Sequence, residues 1–251
     1  MYDDLEATLH DVFWAAEGAC AELPLLEKFL QDFPGTGLEL GCGSGRLLEP
    51  LLKKGYFMEG LDSSAEMLAL CSTDAVLHHA GMEDFQTGSL YGAITIPAFT
   101  LQLLDPEKIP DVFSNIRRHL HPGGGLYLTT FIPWAEIVGE LEAGEWFLDQ
   151  EVTTPDGNTA RCHTRFSIQR LSQKLVREHR YEVLSADGTL LDGSTSTHHL
   201  TWFWPEEMQR LLRDAGFSVV ERIGDFSPGA AWNEDSQIIT HIARACEPDD
   251  A

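Results

Sequence analysis

The sequence is poor in basic residues. Seventeen lysines and arginines stand against forty aspartates and glutamates, which gives a formal net charge of −23 at pH 7. Because affinity for nucleic acid comes largely from cations that neutralise phosphates, we expect no nucleic-acid partner. The acidic excess also fits a preference for cationic or neutral small substrates. Self-repulsion that keeps a protein soluble is the simpler explanation.

Paired cysteines and long apolar runs are also missing. The five cysteines are scattered without a C-x-x-C pair, so we expect neither a metal nor a redox site. No apolar run approaches the roughly 20 residues of a membrane span, and the first residues lack the features of a signal peptide. We therefore expect a cytoplasmic monomer or homodimer with no membrane partner.

Strand and helix patterns alternate along the first half of the chain. Short apolar runs predict strands at residues 37–41, 56–61, 75–79, 90–96 and 126–131. Helical spacing of apolar residues predicts helices at 24–31, 47–52, 65–71 and 106–120. Pro122 and the three glycines after it separate the last of these helices from the strand at 126–131. A last helix at 205–215 and strands at 217–223 and 237–243 follow. This order is typical of an α/β, Rossmann-like fold, a seven-stranded, mostly parallel sheet with helices on both faces.

A different pattern interrupts this alternation. Residues 147–153, 160–169, 174–184 and 190–203 read as extended segments joined by hairpin turns at Asp156-Gly157 and Asp187-Gly188. We expect a core of residues 1–144 and 204–251, and an antiparallel β insertion of residues 145–203 that forms a lid over the substrate pocket.

The glycine-rich segment Leu-Glu-Leu-Gly-Cys-Gly-Ser-Gly-Arg ends at Arg46 and lies between a strand and a helix. Glycines at 41, 43 and 45 allow a tight turn and a close approach of the backbone to a ligand. A dinucleotide fingerprint needs a sixth-position glycine where Arg46 stands, which disfavours a nicotinamide oxidoreductase.

Two further candidate ligand-binding sites follow the glycine loop along the sequence. Asp62 lies about 20 residues after Gly41, where an acid binds the ribose hydroxyls of a nucleoside in this topology. The alternative is a helix N-cap in Asp62-Ser63-Ser64, and both roles are compatible. Met82 and Glu83, after the third strand, could hold an adenine ring, although alone they read as a plain surface turn.

Together with Leu-His-Pro-Gly-Gly-Gly before the fifth strand, these motifs resemble the class I S-adenosylmethionine-dependent methyltransferases. The resemblance covers residues 38–131 well and 204–245 moderately. It implies S-adenosyl-L-methionine as cofactor. The resemblance implies cofactor contacts from the glycine loop, from the acidic turn after the second strand, and from the ends of the third and fourth strands. These residues are Glu39, Gly41, Cys42, Gly43, Arg46, Asp62, Ser63, Met67, Met82, Glu83, Ile96 and Phe99.

The same family contains enzymes that act on nucleic acid or protein amides and carry Asn or Asp-Pro-Pro-Tyr after the fourth strand. This chain has Ile96-Pro97-Ala98-Phe99 at that position, which argues against methylation of nucleic acid or protein amides. The insertion resembles that of bacterial small-molecule methyltransferases acting on amino sugars or amino-acid-like amines. The resemblance implies in-line methyl transfer to a nitrogen or oxygen of a small-molecule acceptor. The alternative is a non-catalytic, methyltransferase-like binding protein.

The predicted lid contains the candidate general bases. Neighbours in a strand point to opposite faces, so only one of His198 and His199 can face a given cleft. We take His199 and Tyr181 as the candidates, although His163, His179 and His198 remain open. Tyr2, Trp14 and Trp232 are aromatic candidates for closing over the cofactor.

Overall fold

The computed structural model describes residues 4–16, 20–227, 229 and 231–246. It consists of two compact units. The larger unit comprises Ala21–Ile132 and Thr201–Ala251, and the smaller comprises Met1–Cys20 and Pro133–Leu200. The functional division at residues 144 and 203 stays a prediction.

The helices of the described residues are α1 (Asp4–Ala16), α2 (Leu23–Asp32), α3 (Leu48–Lys53), α4 (Ala65–Leu70), α5 (Ile109–His119), α6 (Trp134–Val138) and α7 (Pro205–Asp214). The strands are β1 (Gly37–Leu40), β2 (Met58–Asp62), β3 (Leu77–His79), β4 (Tyr91–Ile96), β5 (Leu120–Phe131), β6 (Phe147–Thr153), β7 (Thr159–Gln169), β8 (Lys174–Leu184), β9 (Leu190–Thr201), β10 (Phe217–Gly224) and β11 (Ile238–Ala245).

The larger unit is built on a seven-stranded sheet in the order β10-β11-β5-β4-β1-β2-β3. The pairs β1–β2, β2–β3, β1–β4 and β4–β5 are parallel, and β11 runs antiparallel to both of its neighbours. The strand order reverses between β1 and β4. In open α/β sheets the crevice outside the carboxyl ends of the strands at such a reversal is where ligands bind.

The elements of the larger unit form where the apolar pattern predicts them. Every residue of β4 is buried, as expected for a central parallel strand covered on both sides. Helix α5 buries Val112, Phe113 and Ile116, which recur at helical spacing. The mostly parallel seven-stranded sheet is therefore confirmed.

Strand β5 differs from the prediction. The helix before it ends at His119, but β5 begins directly at Leu120 and runs through Pro122 and the three glycines to Phe131, whereas the sequence predicts a strand only from residue 126. Leu120 of β5 pairs with Tyr91 of β4, and Gly125 pairs with Ala93. Five steps along β5 therefore match two steps along β4, and the extra residues of β5 form a bulge within the strand. A Cβ on Gly125 would lie 2.4 Å from the Phe33 ring, so the glycine lets β5 pass close to that ring.

The smaller unit contains a four-stranded antiparallel sheet in the order β6-β7-β8-β9, which confirms the predicted hairpins. Strands β7 and β8 pair along their whole lengths, from Thr159 opposite Leu184 to Gln169 opposite Lys174. Helix α1, which we did not predict, packs Leu9 and Phe13 in a cluster with residues of this sheet.

Among the described residues, we find no helix with the length and apolar character needed to span a bilayer.

Candidate functional site

The glycine loop leaves β1 with its backbone tied to the neighbouring strand. The N–H groups of Gly41 and Cys42 both donate to the carbonyl oxygen of Leu61, at 2.7 and 3.0 Å. Gly41 has a φ of 75°, and a Cβ there would lie 2.3 Å from the Cγ2 of Thr100. Only glycine satisfies both the left-handed backbone and the close approach.

Asp62 joins this loop to the turn before α4. One oxygen of its carboxylate accepts the N–H of Gly43 at 2.8 Å, and the other accepts the N–H of Ser64 at 2.8 Å. Ser64, rather than Asp62, caps α4, since its Oγ accepts the N–H of Met67 at 3.1 Å. Each carboxylate oxygen keeps a further acceptor site, so the Asp62 carboxylate can also receive hydroxyl donors of a ligand.

Glu39 lies on β1 at the reversal of strand order. It is directly opposite Thr95 of β4, and both residues are buried. Within the part of the chain that the structure describes, Glu39 Oε2 and Thr95 Oγ1 have no hydrogen-bond partner. Burial raises the pKa of the Glu39 carboxyl from its ordinary 4.5 to about 8, and the charge of Glu22 adds to the rise. Buried polar atoms normally have hydrogen-bond partners, so these two unpartnered oxygens indicate a place where a polar ligand can bind.

Glu22 is a site residue that the sequence analysis missed. It directly precedes α2 and is buried, and its carboxylate accepts hydrogen bonds from Thr129 Oγ1 at 3.1 Å, Tyr127 Oη at 3.2 Å and the N–H of Ala98 at 3.2 Å. Burial raises its pKa to about 7, against the hydrogen bond from Thr129 and the charge of Arg46. Tyr127 and Thr129 share one face of β5, but only the folded sheet brings Glu22 to their hydroxyls, so no local pattern marks Glu22.

Arg46 completes this part of the site. It is half-buried, and its positive charge opposes the rise in pKa that burial causes in both Glu22 and Glu39. Cys42 is buried in the same loop, and burial raises the pKa of its thiol far above the ordinary value, so the thiol stays neutral. This part of the site therefore combines the buried carboxyls of Glu22 and Glu39 with the guanidinium of Arg46.

Beyond the loop, Met67 and Met82 are both buried, while Ser63 is exposed. Glu83 forms an ion pair with Lys108, whose hydrogen bond lowers the pKa of the Glu83 carboxyl. A carboxylate in this pair can still accept a further donor.

The end of β4 has an unusual backbone. Ile96 is buried, and the next non-proline residues, Ala98 and Phe99, both have left-handed backbones, with φ of 53° and 62°. Two consecutive non-glycine residues in this region are strained, and such strain clusters at functional sites. The Phe99 ring packs edge-on against Phe131 at 5.2 Å and is stacked with Phe226 at 6.4 Å.

The predicted general bases lie in the smaller unit. Tyr181 donates from its hydroxyl to Glu6 Oε1 at 3.1 Å, and His198 Nε2 lies 2.9 Å from the same oxygen. His199 is exposed. The structure thus places His198 in a buried network with Tyr181, and the catalytic role of His199 and Tyr181 stays a prediction.

A second polar cluster lies in the same unit. Asp149, Cys162 and His179 each offer a potential metal-ligand atom, and these atoms lie within 4.8 Å of one another. Thr164 Oγ1 lies between them, donating to Asp149 Oδ2 at 2.8 Å and accepting from His179 Nδ1 at 2.8 Å. Asp149 and His179 are thus joined through Thr164, and the Cys162 sulfur lies 3.9 Å from the same Thr164 oxygen.

Tyr2 lies outside the described residues, as does the side chain of Trp14. The ring of Trp232 lies 4.7 Å from the Arg222 guanidinium carbon.

The sequence that forms this site matches known methyltransferases. Residues 38–124, which contain the glycine loop, Asp62 and Met82, match the methyltransferase domain family. The dTDP-3-amino-3,6-dideoxy-alpha-D-glucopyranose N,N-dimethyltransferase of Streptomyces fradiae is 27% identical over 238 residues, which cover 89% of this chain and 86% of that protein. This chain is a class I S-adenosylmethionine-dependent methyltransferase.

Solved structures share the fold of the methyltransferase. An S-adenosylmethionine-dependent methyltransferase of Clostridium acetobutylicum matches 96% of this chain and 98% of its own, with a TM-score of 0.79 and 15% identity. CalS10, an amino pentose methyltransferase of Micromonospora echinaspora solved with bound cofactor, matches 94% of this chain and 96% of its own, with a TM-score of 0.72 and 21% identity.

Proposed function

We propose that the methyltransferase transfers a methyl group to the amino nitrogen of a small molecule of the amino-sugar class. One observation carries this proposal. The similarity to the amino-sugar N,N-dimethyltransferase spans 89% of the chain and is not confined to the methyltransferase domain of residues 38–124. The name of the amino pentose enzyme, which shares the fold, points to the same class of acceptor.

The residues of the larger unit fit the cofactor. The glycine loop presents backbone with no room for a Cβ at Gly41, Glu39 Oε2 lacks a partner among the described residues, and Asp62 has acceptor capacity at the end of β2. We propose that Glu39, Gly41, Cys42, Gly43 and Arg46 bind the methionine part of the cofactor. The remaining proposed contacts are Asp62 and Ser63 with Met67 at the ribose, Met82 and Glu83 at the adenine, and Ile96 and Phe99 near the sulfonium.

When bound, S-adenosylmethionine supplies an electrophilic methyl group on a positively charged sulfur. To that methyl group the amine would add its lone pair in line with the breaking S–C bond, with loss of one amine proton and departure of S-adenosylhomocysteine. The protein's residues need only align the amine, exclude water and accept or relay that proton. His199 and Tyr181 remain the predicted general bases. Residues 145–203 remain the predicted lid over the acceptor pocket.

The test is methyl transfer from isotopically labelled S-adenosylmethionine to a panel of nucleotide-linked sugars. Each amino sugar is paired with the analogue that has a hydroxyl at the same carbon, and mass spectrometry counts the methyl groups. We expect label only on the amino member of a pair. Label on the hydroxyl analogue, or on none of the sugars while the enzyme binds its cofactor, would overturn the proposed acceptor.

A further inference from the structure

The polar cluster of the smaller unit brings three side chains of different strands to one point. Asp149 belongs to β6, Cys162 to β7 and His179 to β8, and their potential ligand atoms lie within 4.8 Å of one another. Cys162 is buried, His179 is half-buried and Asp149 is exposed. The cluster therefore extends from the interior of the unit to its surface, which gives a small ion a path from solvent.

The pairing of the strands explains why these residues meet. Cys162 and Thr164 are alternate residues of β7, so they share one face of the sheet. His179 of β8 is directly opposite Thr164, which places it on the same face. The register between β6 and β7 shifts at Asp149, which is the extra residue of a bulge. A bulge redirects a side chain, and the Asp149 carboxylate reaches Thr164 Oγ1 at 2.8 Å.

The distances within the cluster fit a single tetrahedral ion. Cys162 Sγ lies 3.8 Å from His179 Nδ1 and 3.9 Å from Thr164 Oγ1, and a thiol forms only weak hydrogen bonds. Thr164 Oγ1 lies 2.8 Å from both Asp149 Oδ2 and His179 Nδ1. Ligand atoms around a tetrahedral Zn²⁺ ion are about 3.3–3.6 Å apart, given metal–ligand bonds of about 2.0–2.3 Å. The observed separations lie on both sides of that range, so shifts of less than about 1 Å per atom would bring all four to bonding distance.

The set of donor atoms indicates which ion would bind. A sulfur, an imidazole nitrogen and a carboxylate oxygen together suit Zn²⁺, whereas Mg²⁺ and Ca²⁺ prefer oxygen ligands. The neighbouring ring of His198 lies 5.0 Å from that of His179 and is paired with Glu6 instead. The sequence predicts no metal site because it lacks a C-x-x-C pair, but strand pairing assembles these ligands from three separate strands.

We propose that Asp149, Cys162 and His179 bind one Zn²⁺ ion, with the Thr164 hydroxyl as the fourth donor. The sulfur binds as a thiolate, so the Cys162 thiol releases its proton to solvent when the ion binds. The ion ties the bulge of β6, an edge strand, to the β7–β8 pair. None of the four residues is a proposed cofactor contact, so the proposal does not depend on the assignment of the cofactor site or of the acceptor.

The test is a titration of the full chain with Co²⁺, after a chelator has removed any bound metal. Tetrahedral Co²⁺ with one thiolate ligand absorbs visible light and shows a cobalt–thiolate charge-transfer band in the near ultraviolet. We expect both signals to saturate at one ion per chain and to disappear on addition of excess Zn²⁺, which competes for the same ligands. The absence of the charge-transfer band, or a signal that does not saturate, would overturn the proposal.

A cysteine variant locates the ion. Cys162→Ser should abolish the charge-transfer band. Cys246→Ser is the matched control, because Cys246 is a free cysteine of the larger unit, and it should retain the band at its wild-type intensity. A band of wild-type intensity in Cys162→Ser would show that the ion binds another cysteine and would overturn the proposal.

A second variant tests the site even if Cys162→Ser does not fold, because Asp149 is exposed. Asp149→Ala should raise the dissociation constant for Co²⁺ at least about tenfold and keep the charge-transfer band. Glu151→Ala is the matched control, since Glu151 is an exposed acid of the same strand that pairs with Arg161, and it should bind Co²⁺ as the wild type does. Equal affinities in the wild type and both variants would overturn the proposal. Neither result alters the proposed methyl transfer, because the titration contains neither cofactor nor acceptor.

Discussion

The carboxylate of Asp62 accepts the backbone N–H of Gly43 at 2.8 Å, so the residue at the end of β2 holds the glycine loop that follows β1. Its other oxygen accepts the N–H of Ser64. Asp62 therefore shapes the loop and, in the proposed site, also binds the ribose. These two roles make it the most informative residue to change.

Asp62→Ala should raise the dissociation constant for S-adenosylmethionine at least about tenfold, because a hydrogen bond to a charged group contributes about 1.5–3 kcal/mol. Calorimetric titration measures the change. Ser64→Ala is the matched control, since it removes the N-cap of α4 and a hydrogen bond to the exposed Glu66 but keeps the backbone N–H that Asp62 accepts. It should cost about 1 kcal/mol of the unfolding free energy and leave the affinity within about threefold. Wild-type affinity in Asp62→Ala would show that Asp62 does not bind the ribose.

Gly41→Ala should destabilise the protein more than Gly55→Ala. Both glycines have a left-handed backbone, with φ of 75° and 92°, so both substitutions incur a backbone cost of about 1–2 kcal/mol. A Cβ on Gly41 would in addition meet Thr100 at 2.3 Å, whereas a Cβ on Gly55 would meet no atom of the described residues within 4 Å. Urea unfolding gives the two free energies. Equal losses would contradict the close packing of the loop.

Most of the larger unit was predictable, because central strands such as β4 are short apolar runs and α5 has one apolar face. Gly41 and Asp62 could be found from their spacing, since the chemistry of nucleoside binding imposes it. Glu22 could not, because it belongs to no local motif. Its importance depends on Tyr127 and Thr129, which only the folded sheet brings to it.

Two errors in the fold prediction have local causes. Proline and consecutive glycines are unfavourable inside strands, so the sequence predicts that the strand begins only at residue 126. In β5 these residues instead form a bulge within the strand, and Gly125 lets the strand pass close to Phe33. Helix α1 carries Leu9 and Phe13 four residues apart, a periodic signal that its many acidic neighbours obscured.

Glu39→Gln should change how stability depends on pH. The pKa of Glu39 in the folded protein, about 8, exceeds the ordinary 4.5, so the folded state binds this proton more tightly than the unfolded state. The stabilising contribution of the protonated carboxyl is therefore present below pH 4.5 and is lost as the pH rises towards 8. The loss should be on the order of a few kcal/mol, at about 1.4 kcal/mol per pKa unit.

Denaturant titrations from pH 5 to pH 9, on the wild type and on Glu39→Gln, measure this effect. The wild type should lose stability relative to the variant across that range. A constant difference between the two proteins would contradict the raised pKa of Glu39.

His198 and His199 should respond differently to alanine. His198→Ala removes a partner of the buried Glu6 and should cost about 1–3 kcal/mol of the unfolding free energy. His199→Ala removes an exposed side chain and should change stability by less than about 0.5 kcal/mol. If His199 is the general base, kcat in that variant falls by about 10²–10⁴. An unchanged kcat with an unchanged pH profile would remove His199 from the mechanism.

The central claim is that the glycine loop, Asp62 and the turn at Met82 bind S-adenosylmethionine. Calorimetric titration of the wild-type protein with S-adenosylmethionine, and separately with NADH, tests it most directly. The account predicts saturable binding of S-adenosylmethionine with one site per chain and no binding of NADH. Absence of S-adenosylmethionine binding at millimolar concentration, or preferential binding of NADH, would contradict it.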